Sequence, residues 1–154
     1  MKLITIIILG LTAGIFYCWS ISVTRGLALL PDKEYILAFQ KLNRAILNPL
    51  FFICFFSPLV LLPICLWREF TITLLLATLF YYIGVMGVTI VGNIPLNNML
   101  EAFPVQGANI EEMRQIRAQF EPKWNTLNHI RTLCSLVSFI LSLISCTSSF
   151  QHSS

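Results

Sequence analysis

The chain has 154 residues, of which 56% are hydrophobic and 11% charged. A soluble domain carries about a quarter charged residues, so this composition, with a mean hydropathy of +0.79, excludes an ordinary soluble globular domain and reads as an integral membrane protein. The formal net charge of +3 is small and dispersed, which argues against a nucleic-acid partner.

Four apolar segments, roughly 3–22, 45–66, 70–91 and 130–147, each approach the ~20 residues that a helix needs to cross the hydrocarbon of a bilayer. They predict an all-α four-span bundle, one domain over residues 1–154, with membrane lipid as its surroundings. The first segment is read as a permanent span rather than a secretory signal. Its apolar run continues through Phe16, Tyr17 and Trp19, with no small-residue cleavage site before Arg25. Without an address or lipidation motif, the cytoplasmic membrane is the default home of this multi-pass chain.

In the first span Gly10 and Gly14 stand four apart, the small-residue spacing that lets helices approach closely in lipid. Arg25 can snorkel at its end, and Pro31 stops it. A second, long helix starts at Asp32 as N-cap, with an amphipathic stretch that turns Lys33, Glu34, Gln40 and Lys41 outward. It runs into "NPLFFICFFSPLVLLPICL", where Pro49, Pro58 and Pro63 should each bend it. "WREF" at 67–70 allows only an antiparallel hairpin. The third span ends at "VGNIPLNN", broken by Gly92 and Pro95. Between Glu101 and Lys123 a short interfacial helix is expected in the third loop, capped by Asn109 and with Glu111 and Glu112 at its positive end. Loops one and three hold Arg25, Lys33, Lys41, Arg44, Arg114, Arg117, Lys123 and Arg131, against Lys2 and Arg68 on the other side. The positive-inside rule therefore turns these two loops to the cytoplasm.

The five cysteines lie in or beside apolar runs without CxxC spacing and read as packing residues. No metal cluster is expected: His129 is one of two histidines, and the other, His152, lies in the terminal "SFQHSS". No glycine-rich phosphate loop is present.

The unusual polar groups collect where loops one and three meet the spans: "LNRAILNP", "GNIPLNN" and "WNTLNHIRTL". Asn128 and Thr132 share a helix face, as do Asn128 and Arg131 and, in the second helix, Arg44 and Asn48. Polar side chains this near hydrocarbon must pair with each other or line a wet cavity. A histidine exchanges protons near neutral pH, arginines hold oxyanions, and asparagines donate to or accept from a neutral oxygen. The set suits proton abstraction beside a carbonyl, followed by enolate stabilisation. The bland alternative is snorkelling cations and asparagines that tie helices together.

The combination "LPD" (30–32), "NRAILNP" (43–49), "NIPLNN" (93–98) and "WNTLNHIRTL" (124–133) resembles the anthrone-oxygenase-like membrane family. That resemblance implies oxidation of a phenolic or polycyclic lipophile by molecular oxygen with no metal or flavin cofactor. It implies His129 as general base, with Arg131 and Arg44 stabilising the enolate. Asn43, Asn48, Asn93, Asn97, Trp124 and Asn128 would contact substrate or oxygen. Where the family often has a tryptophan two residues before the histidine, this chain has Leu127. The alternative is a non-enzymatic membrane protein that binds a lipophile or packs against partner subunits. A transporter ranks third, because four spans suffice for one only in an oligomer and no acidic residue lies mid-span.

Overall fold

The computed structural model describes residues 1–151, and the side chains of residues 1–147. His152 lies outside the described residues. Five helices follow one another: α1 (Lys2–Ala28), α2 (Asp32–Ile46), α3 (Pro49–Arg68), α4 (Ile72–Glu101) and α5 (Ile110–Gln151). All but α2 are long and apolar enough to cross a membrane, and no more than 39% of the most apolar window of any of them is buried. The remainder, including Ile4, Ile7, Leu11, Ile53, Val60 and Ile83, is exposed apolar surface of the kind acyl chains cover. This is a four-span, all-helical membrane bundle.

α5 packs along α1 and α4, α1 also packs on α3, and α2 lies across the loop end against α5 and the last turns of α4. Two apolar clusters follow from this. One, in the bundle, is built around Leu9, Phe16, Phe55, Leu62, Tyr81 and Val85. The other lies under α2, around Tyr35, Ile36, Phe39, Leu100, Phe120 and Trp124.

The prolines explain much of the local structure. The long bent helix expected from Asp32 onward is two helices, because Asn48, directly before Pro49, is extended at φ −128° and ψ 160°. Its side-chain oxygen accepts from the Phe51 N–H at 3.1 Å, and Pro49 takes the first helical turn, where its missing N–H costs nothing. Asp32 is the first helical residue of α2 and not its cap, a place taken by Pro31. Pro58 and Pro63 lie inside α3. Each removes the donor for the carbonyl four residues earlier, and a neighbouring span replaces it. Thr12 of α1 donates to the Cys54 carbonyl at 2.8 Å, and Tyr82 of α4 donates to Leu59.

Gly92 and Pro95 do not end the third span. α4 continues to Glu101 by widening into π-helical turns over Phe80–Gly87 and Thr89–Asn93 directly before the proline. A third π-helical stretch, Trp19–Val23, lies in α1. The surface helix expected in the third loop is the beginning of α5, which runs without interruption through Pro122 into the fourth span. Asn109 and Glu112 form a reciprocal cap at its start: each backbone N–H reaches the other's side-chain oxygen, at 2.8 and 2.9 Å. Gly107, at φ +91°, makes the turn that leads into it. Of the two glycines in α1, Gly10 meets the Phe139 ring of α5, whereas Gly14 faces open space.

Arg117 joins three elements. It donates to the carbonyls of Ala28 (3.0 Å) and Leu30 (2.7 Å), to Asp32 (3.0 Å) and to Glu121 (2.7 Å), and lies 4.3 Å from the centre of the Tyr35 ring. Burial first, then the Glu121 charge, pushes the Tyr35 phenol well above its usual range, with Arg117 opposing. Gln40, expected on the outer face of α2, is buried and donates to the Leu100 and Phe103 carbonyls at 2.8 and 3.1 Å. The junction of α1, α2 and the end of α4 is thereby fixed above the site.

Candidate functional site

On the inward face of α5, Trp124, Asn128, Arg131, Thr132 and Ser135 are all buried. They recur at the spacing of one helical face. Arg131 is 7% exposed. One terminal nitrogen donates to Asn128 at 2.8 Å, the other to the Thr89 hydroxyl at a long 3.4 Å, and Nε has no partner among the described residues. Asn128 in turn donates to Ser20 (2.8 Å), and Ser20 shares a hydrogen bond with Thr132 (2.8 Å). The polar chain therefore crosses from α5 to α1 and holds the guanidinium in place. Phe16 and Trp124 flank it, their ring centres 4.6 and 5.5 Å away. No carboxylate pairs with Arg131 among the described residues. A cation so placed is costly to maintain, and such residues inside membrane proteins mark sites by default.

Arg131 lies on the wall of a cavity of about 150 Å³ between all four spans. Aromatic side chains dominate the lining: Phe16, Trp19, Phe51, Phe55 and Trp124, with Phe52 and Phe56 toward the outer surface. Asn43, Ile46, Leu47, Ile94 and Asn97 border this inner chamber and also a second one of about 340 Å³ at the loop end. Asn97 accepts from the Trp124 indole N–H at 2.7 Å and so fixes the ring on the wall of the inner chamber. The outer chamber adds Arg44, Asn98 and Glu101. Arg44 donates to Oε1 of Glu101 at 2.6 Å, while Oε2 of Glu101 is out of contact with solvent and has no hydrogen-bond partner among the described residues.

A comparison with protein families matches residues 37–141 to Anthrone oxygenase. The chain belongs to the anthrone oxygenase family. No curated protein and no solved structure matches it. The stretch shared with the anthrone oxygenase family contains every residue that lines the two chambers except Ile15, Phe16 and Trp19 of α1.

Of the side chains expected at the site of this family member, Arg131, Trp124, Asn97 and Asn43 line the inner chamber and Arg44 the outer. Asn128 orients Arg131 from behind. Asn93 is fully buried, both its side-chain polar atoms lack a partner among the described residues, and it borders neither chamber. Asn48 caps α3. His129 is exposed on the outward face of α5 and lines neither chamber. Leu127 packs over Gly92, where a β-carbon would come within 2.7 Å of it. It borders an external groove between α4 and α5, so that departure from the family pattern falls outside the chambers. Among the described residues no three His, Cys, Asp or Glu side chains gather as metal ligands.

Sequence reasoning missed Glu101 and Arg117. Glu101 follows Asn97 by four residues, which on a helix is the same face, and that spacing was the available signal. The "LPD" motif is explained by Arg117, which takes both the Leu30 carbonyl and the Asp32 carboxylate.

Proposed function

We propose that this anthrone oxygenase family member binds an aromatic lipophile carrying an acidic oxygen in the two adjacent chambers and oxidises it with molecular oxygen. One observation carries the reading: a buried arginine without a counter-ion among the described residues, flanked by aromatic rings, on the wall of an apolar cavity. An enolate or phenolate oxygen would supply the missing negative charge, and charge-assisted bonds of that kind are the strong ones. The inner chamber alone falls below the roughly 300 Å³ at the small end of ligand sites, so a fused-ring ligand extends into the outer one.

The chemistry balances with molecular oxygen as the oxidant. An activated methylene loses a proton, and the resulting enolate passes one electron to oxygen. The radical pair forms a C–O bond, and the hydroperoxide loses water. The net change is CH₂ plus O₂ to C=O plus H₂O. Arg131 contributes by stabilising the enolate that forms only after proton loss, the differential interaction that accelerates a reaction. The surplus of Lys and Arg at the chamber end supports placing that end at the cytoplasmic face of the cell membrane.

The test is oxygen uptake by the purified protein with anthrone, alongside quenching of tryptophan fluorescence by a hydroxyanthraquinone. Saturable binding with catalytic oxygen consumption supports the reading. Saturable binding with no oxygen consumption would leave the lipophile-binding alternative in its place.

A further inference from the structure

We infer that Glu101 is the proton acceptor of this site, an inference that rests on the oxidation proposed above. A reaction that begins with proton loss needs a base within reach of the bound substrate, directly or through one water. The side chains lining the two chambers include three that are charged: Arg131, Arg44 and Glu101. Arginine does not give up its proton in proteins and has no acceptor. Asparagine, threonine and tryptophan are not bases at neutral pH. Among the described residues that line the two chambers, the carboxylate of Glu101 alone can take the proton.

Its setting fits that task. Glu101 ends α4, one turn beyond Asn97, so the helix that lines both chambers also delivers the carboxylate to the outer one. Arg44 holds one oxygen and fixes the group's orientation. The other oxygen is sheltered from solvent and has no hydrogen-bond partner among the described residues, so its lone pairs are not committed to another group. The side chain as a whole remains 35% exposed, which leaves a route to exchange the proton with solvent. The two ends of the cavity then divide the work: Arg131 receives the developing negative charge and Glu101 the proton. The carboxylate becomes a carboxylic acid as the enolate forms, returns that proton to the peroxide anion made from oxygen, and is a carboxylate again when water leaves.

Proton removal can be read without oxygen. The full-length protein in lipid nanodiscs is mixed anaerobically with anthrone in D₂O, and exchange of the methylene hydrogens above the buffer rate is followed by mass spectrometry. The wild type should accelerate exchange. Glu101→Gln should bind within about threefold of wild type by tryptophan quenching, yet lose exchange by about 100-fold or more, the contribution expected of a positioned base. Added acetate should restore part of it, a recovery that a merely structural role would not give. Exchange at the wild-type rate in Glu101→Gln overturns the assignment, as does a wild type that binds anthrone without accelerating exchange. Exchange that depends on Glu101 with no oxygen uptake keeps Glu101 as the base and removes the oxygenase reading. Should Glu101→Gln fail to fold, Glu101→Asp decides. Slowed exchange recovered by acetate supports the assignment, and the full wild-type rate overturns it.

Discussion

Tyr82 of α4 donates its hydroxyl to the Leu59 carbonyl of α3, the carbonyl that Pro63 leaves without an N–H partner. The pair is a donor supplied by one span for a deficit in another, and it makes a double-mutant prediction. Tyr82→Phe should cost about 1 kcal/mol in detergent unfolding, within the range of interhelical hydrogen bonds in membranes. In a Pro63→Ala background, where the backbone donor is restored, the same change should cost close to nothing. Equal costs in both backgrounds would break the link between the tyrosine and the proline.

Arg131→Met separates function from stability. The guanidinium is buried without an ion-pair partner among the described residues, and replacing a buried charge with an apolar side chain of similar volume is often neutral or stabilising. The melting temperature in detergent should therefore hold or rise. Oxidation should fall by about 100-fold or more with loss of an oxyanion contact. A fall in melting temperature with ligand binding intact would make the Arg131–Asn128–Ser20 chain a structural tie and nothing more.

Arg117→Leu should behave in the opposite way. It strips partners from the Ala28 and Leu30 carbonyls, Asp32 and Glu121. Breaking a largely buried charge network costs about 3 kcal/mol, or roughly 10 °C in a chain of this size. Differential scanning of the purified protein measures it, and a change below about 2 °C would contradict the role given to this arginine.

His129→Gln should leave oxygen uptake within about threefold of wild type. The side chain is exposed on the outward face of α5 and lines neither chamber, so the general-base role expected for it has no geometric support. Steady-state oxygen consumption is the check, and complete loss in a normally inserted protein would return the base role to His129.

The contrast between His129 and Arg131 shows what was legible in the sequence. The four spans could be read directly, because each is a long apolar run with few charges. The convergence of "NRAILNP", "NIPLNN" and "WNTLNHIRTL" was also legible, since odd and even loops of a four-span chain fall at opposite ends. Residues two apart on a helix point about 200° from one another, so periodicity alone separates His129 from Arg131. Imidazole chemistry favours His129, whereas helical geometry puts it on the face opposite Arg131. Other features had no local signal. Whether Pro49 bends a helix or starts a new one depends on whether Asn48 turns back to cap it. The roles of Arg44, Gln40 and Arg117 depend on partners 57 to 89 residues away in the chain. The fusion of the third-loop helix with the fourth span was hidden by Pro122, which looks like a boundary but lies inside α5.

Phe52 and Phe56 border the inner chamber and are also 39% and 46% exposed on the outer surface of α3. A ligand arriving between them comes from the acyl phase, where an apolar polycycle is strongly concentrated relative to water. Saturation is then governed by the mole fraction of substrate in the lipid or detergent. Half-saturation values quoted per litre of buffer should rise in proportion to added lipid, and values quoted per mole of lipid should stay constant.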